Sequence, residues 1–193
     1  MSKPHTWSKR RIRTARRAAI ATALALLAGQ AAQAHVVLTV RQASVGAFYT
    51  GALHVGHGCG GSATTALRVE IPAGVDDAKP QPKPGWTLEI EREPLASPHR
   101  GEGGETVATR AKAITWRGRL PDDEFDEFGL AARLPAAPGV LAFPVVQTCE
   151  QGETRWTEPP AAPGQPRPTH PAPTLTVLPK ADDGMAGMDM SHQ

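Results

Sequence analysis

The chain has 193 residues, enough for one domain with tails. Its 21 Lys and Arg against 19 Asp and Glu look weakly basic, but residues 1–34 hold seven of the basic residues and no acidic one. Residues 35–193 carry 14 basic against 19 acidic residues, and that mildly acidic balance excludes a basic nucleic-acid surface.

Residues 1–34 read as a secretory signal peptide. Lys9, Arg10, Arg11, Arg13, Arg16 and Arg17 form a basic start, Ala18 to Ala28 is an apolar run, and Ala32-Gln33-Ala34 is a small-residue cleavage site. The apolar run falls short of the roughly 20 residues that a membrane-spanning helix needs. Cleavage after Ala34 releases a chain that begins at His35, in the periplasm or outside the cell.

From His35 onward no amphipathic helix is legible, and short strand-like runs recur between turn residues. In chain order they are His35–Val40, Gly46–Val55, Thr64–Ile71, Trp86–Ile90, Thr106–Trp116, Phe125–Leu134, Val140–Cys149, Arg155–Thr157 and Thr174–Leu178. Thr64–Ile71 places Leu67, Val69 and Ile71 on one face, the period-2 pattern of a half-buried strand. The segment Asp76 to Gly85 is read as a turn-rich connection. About nine strands with frequent turns predict an all-β, immunoglobulin-like β-sandwich over residues 35–179. Pro159 to Pro173 is Pro-rich and extended, and residues 180–193 form a disordered tail.

Two cysteines remain, Cys59 and Cys149. Export to an oxidising compartment predicts a disulfide between them. Two widely separated cysteines lack the C-x-x-C spacing of a thiolate metal site.

Cleavage would make His35 the first residue, with an α-amine and an imidazole close enough to close a chelate ring on one metal. The α-amine has an ordinary pKa near 7.7–8.0, so a strong Lewis acid displaces its proton near neutral pH. Nitrogen donors in tetragonal array suit Cu(II), which also leads the divalent affinity order. The bland alternative is a histidine that merely follows the cleavage site.

His35-Val36-Val37-Leu38 after Ala-Gln-Ala resembles the start of YcnI-like copper-binding domains. The ordered set His57-Gly58-Cys59 with Thr64-Thr65, Lys83-Pro84-Gly85-Trp86, Asp126-Glu127-Phe128-Gly129, Phe143 to Glu150 and Arg155-Trp156-Thr157-Glu158 extends that resemblance to about Leu178. It implies an immunoglobulin-like sandwich and a Cu(II) site built on His35 as a single-histidine brace, with a carboxylate and a nearby tryptophan. Trp156 matches the tryptophan, placed beside the ion as a shield rather than a ligand. The carboxylate is open among Glu124, Glu127, Glu150 and Glu158, and Glu127 is carried forward. His57, on a Gly-rich turn before Cys59, is a further metal candidate or a surface residue of the disulfide loop. His54 is the less persuasive alternative.

The tail holds Met185, Met188, Met190 and His192. Thioether sulfur is soft and selects Cu(I), so the tail is a second copper candidate. The expected function is a non-catalytic copper chaperone or buffer, monomeric, passing copper to a membrane copper transporter or a cuproenzyme assembly factor. Its rivals are a copper oxidative enzyme, in which His54 or His57 completes a three-nitrogen site, and a metal-free scaffold or adhesion domain.

Overall fold

The computed structural model describes residues 35–101, 103–162 and 164–180. The signal segment and the tail candidates Met185, Met188, Met190 and His192 lie outside the described residues.

All regular structure among the described residues is strand: β1 Val37–Leu38, β2 Gln42–Ser44, β3 Phe48–Val55, β4 Thr64–Glu70, β5 Asp76–Pro80, β6 Thr87–Arg100, β7 Thr106–Leu120, β8 Asp126–Arg133, β9 Gly139–Ala142, β10 Val145–Cys149, β11 Glu153–Trp156 and β12 Thr174–Leu178. They form three sheets, ordered β1-β3-β8-β5, β11-β10-β4-β7-β6 and β2-β12-β9. Only the β2–β12 pair, among these neighbours, runs parallel.

Alternation along each strand aims one set of side chains into a shared core. The row Leu38, Leu53 and Phe128 pairs across β1, β3 and β8, and all three are buried. The other large sheet contributes Leu67, Val69, Ile114, Trp116, Val145 and Trp156, and β12 adds Leu175 and Val177. Phe128 sits at the centre, edge-on to Trp86 with centroids at 4.9 Å and to Trp116 at 5.6 Å. Such aromatic contacts add about 0.5–1.5 kcal/mol each beyond area burial.

The nine expected strands become twelve, for three physical reasons. Val140–Cys149 divides at Phe143–Pro144 into β9 and β10, which join different sheets. Pro144 has no N–H to continue a ladder, and its carbonyl instead accepts from Glu70 N at 2.9 Å. The expected turn after Asp76 is partly strand, because β5 pairs with β8 through an irregular register between Asp76 and Lys79. Asp77 there adopts φ 51°, a bulge-like conformation that hides period-2 patterning. β2 is only three residues, too short for a periodic signal.

Two further bounds move. β1 occupies only Val37–Leu38 of the expected run His35–Val40, since the Thr39 hydroxyl accepts from Ala52 N at 2.9 Å and the chain then departs. β6 continues to Arg100 and β7 begins at Thr106, a long hairpin whose far part is exposed and therefore lacks an apolar pattern.

Cys59 and Cys149 are bonded, with Cα atoms 6.0 Å apart. The bridge ties the loop before β4 to the end of β10. The Pro-rich stretch before β12 is anchored at Glu158, which forms an isolated parallel bridge with Pro171.

Candidate functional site

β1 is the edge strand of one sheet and β11 the edge strand of another. His35 lies two residues before the start of β1, and Trp156 ends β11. Their rings meet with centroids 5.5 Å apart and planes tilted by 53°. The sequence places them so because Val36 and Leu38 are buried apolar anchors that fix the strand, leaving His35 half-exposed.

Trp156 is buried at 3% exposure. Its indole N–H donates to Gln147 Oε1 at 3.1 Å. The Gln147 amide nitrogen donates to the His57 carbonyl and to Thr64 Oγ1, each at 2.8 Å. Gln147 is itself 1% exposed, so this network fixes the indole that His35 contacts. With its N–H committed, Trp156 offers the histidine only its ring surface and edge.

A second imidazole touches the same indole. His170 packs edge-on to Trp156, with centroids 5.2 Å apart and an interplanar angle of 67°. Its backbone is held by Glu158, whose N–H donates to His170 O at 3.1 Å and whose Oε2 accepts from His170 N at 2.8 Å. Beside His35 lies a surface cleft of about 260 Å³, lined also by Arg41, Pro160, Pro171 and Thr174 among others.

The carboxylates separate by position. Glu150 is paired with Arg119 at 2.9 Å. Glu124 lies in the turn before β8, where its N–H donates to Pro121 O. Glu127 lies on β8 directly opposite His54 on β3, which is opposite Val37 on β1. These three therefore share the outward face of the sheet that the His35 strand opens. His54 Nδ1 and Glu127 Oε1 are 3.8 Å apart, and Phe125 lies against the His54 ring at 5.5 Å.

His57 does not join that row. Its Nδ1 faces the neighbouring Gly58 carbonyl and its own carbonyl is held by Gln147, so it belongs to the loop of the disulfide. Among the described residues no three His, Cys, Asp or Glu side chains converge in a ready-made metal site. In an uncleaved chain the His35 nitrogen is part of a peptide bond and is no donor.

The quoted motifs also meet in space. Lys83 pairs with Asp126 at 2.6 Å, donates to Glu127 O at 3.0 Å and lies 5.2 Å from the Phe128 ring centre. Gln81 N donates to Gly129 O at 2.9 Å, and its side chain lies where a Cβ at residue 129 would go. That close approach requires glycine there. Lys83 and Asp126 thus brace the strand end that carries Glu127.

His170 is the residue that sequence reasoning missed. It stands in a proline-rich run, whose extended path hides which side chain it delivers to Trp156. The only signal was a histidine between Thr169 and Pro171 in a segment read as Pro-rich and extended.

No helix among the described residues is long and apolar enough to cross a membrane. Comparison with known proteins finds no match among curated sequences. A crystal structure of an uncharacterized Nocardia farcinica protein with an immunoglobulin-like fold is 31% identical, with a TM-score of 0.57, over 74% of this chain and 97% of that one. A Corynebacterium diphtheriae chain described as membrane anchored is 8% identical, with a TM-score of 0.37, over 74% of this chain and 33% of that one, too distant to bear on the fold. The family model described as a domain of unknown function, DUF1775, matches residues 35–177, and its span opens on the histidine that contacts Trp156. The chain belongs to the DUF1775 family, the group of the YcnI-like domains, and carries its immunoglobulin-like β-sandwich.

Proposed function

We propose that the exported chain, cleaved after Ala34, is a copper carrier of the cell envelope that holds Cu(II) through the α-amine and imidazole of His35. The observation that carries this reading is the His35 ring packed 5.5 Å from a buried tryptophan whose N–H is already committed. Cleavage supplies the donor that the described side chains lack, so binding begins only after export. Amine and imidazole nitrogen fit the tetragonal preference of Cu(II).

Glu127 is the carboxylate favoured for the site. It is half-exposed, faces His54 rather than an arginine or lysine, and shares its sheet face with the strand that His35 precedes. Trp156 shields one side of the ion. The bound ion is cargo, and its release is ligand exchange without catalysis. A membrane copper transporter or a cuproenzyme assembly factor is the recipient. In the tail, Met185, Met188, Met190 and His192 offer soft donors for Cu(I). The two sites would then serve different copper oxidation states.

Cu(II) titration of the protein beginning at His35 is expected to show one tight site. His35→Ala abolishes it, and Glu127→Gln weakens it while Glu150→Gln leaves it intact. Unaltered binding by His35→Ala would overturn the reading.

A further inference from the structure

We propose that His170 supplies a second imidazole to the copper held at His35, making the centre of this chain a two-histidine site. The inference rests on the copper reading of His35 and goes beyond the single-histidine brace that the family resemblance implies.

Three observations carry it. First, His35 and His170 pack against the same indole, at 5.5 and 5.2 Å between centroids. The indole N–H is spent on Gln147, so neither imidazole is there as its hydrogen-bond acceptor. Second, both hydrogen bonds that Glu158 makes to His170 use His170 backbone atoms. The backbone is therefore fixed, and neither bond occupies an imidazole nitrogen. Third, Pro171, which follows His170, lines the same cleft as His35. Prolines 168, 171 and 173 stiffen this segment, which lowers the entropy lost when the ring is ordered on an ion.

The bridge between Glu158 and Pro171, closed in part by the hydrogen bond from Ala172 N to Glu158 O at 2.9 Å, holds the segment just after His170. An imidazole adds a nitrogen donor of the type that Cu(II) prefers.

The test uses protein beginning at His35, with the whole tail after residue 179 removed, loaded with one equivalent of Cu(II). Pulsed electron paramagnetic resonance counts coordinated imidazoles from their remote nitrogens. The wild type is expected to show two imidazoles and His170→Ala one, with copper bound roughly ten-fold or more weakly. Added free imidazole is expected to restore the two-imidazole signal in His170→Ala. The substitution keeps both backbone bonds to Glu158, and an unchanged thermal midpoint of the copper-free protein verifies the fold. One imidazole in both proteins, lost on His35→Ala, overturns the role of His170 and leaves the His35 reading standing. No bound copper in the wild type overturns both.

Discussion

Gln147→Met tests the network that fixes Trp156. The side chain is 1% exposed, and methionine fills nearly the same volume, so no large cavity forms. Three hydrogen bonds disappear: those to the His57 carbonyl and Thr64 Oγ1, at 2.8 Å each, and the one from the Trp156 N–H at 3.1 Å. Each net bond contributes about 1 kcal/mol, and each partner left buried and unpaired costs about 1–3 kcal/mol. Trp156 and Thr64 are buried, so the total is about 3–4 kcal/mol. For a domain of this size each kcal/mol moves Tm by about 2–4 °C, which predicts a fall of roughly 10 °C. Calorimetry on the oxidised, copper-free protein reads it directly. A loss below about 1 kcal/mol would show that the network does not hold the indole, and the reasoning about Trp156 would fail with it.

Other outcomes rest on the same structure. Replacing Cys59 and Cys149 by alanine opens a loop spanning 90 residues of sequence, and chain entropy sets the loss at about 4–5 kcal/mol; denaturant unfolding checks it, and a midpoint unchanged from wild type would contradict it. Phe128→Ala, at the centre of the core, should cost about 3–5 kcal/mol by the same measurement. Burial pushes the Tyr49 phenol from its ordinary 10.0 up to about 12. The folded chain then holds that proton more tightly than the unfolded one, so stability is full below pH 10 and falls by about 2–3 kcal/mol as pH rises through 12. Tyr49 is the sole tyrosine, so absorbance at 295 nm titrates it alone, and a midpoint near 10 in the folded protein would refute its burial.

Much of the fold was legible because the core strands obey period 2. Leu67, Val69 and Ile71 read as one buried face and are buried. The disulfide was legible from two cysteines in an exported chain. The third sheet was not, because β2 is three residues long and the Phe143–Pro144 break looks apolar and continuous in sequence. The long β6–β7 hairpin was underread, since exposed strands carry polar residues on both faces.

At the site, the proximity of His35 and Trp156 was implied by the family resemblance alone, since nothing in composition or spacing brings residues 35 and 156 together. The partner of Glu127 did not: its pairing with His54 depends on the β3–β8 register, which only the folded sheet supplies. His170 was hidden for a related reason. Nothing in a proline-rich run encodes which edge strand it will lie against, and its position is set by hydrogen bonds to Glu158, twelve residues earlier.

The central claim is that the free amine of His35 is a copper ligand. Two proteins lacking residues 180–193 decide it, one beginning at His35 and the other carrying a single glycine before His35, each titrated with Cu(II) under electron paramagnetic resonance. The first should show one tight, nitrogen-coordinated site, and the second should lose it. Equal binding by both would contradict the claim and move the site to the side chains around Glu127 and His54.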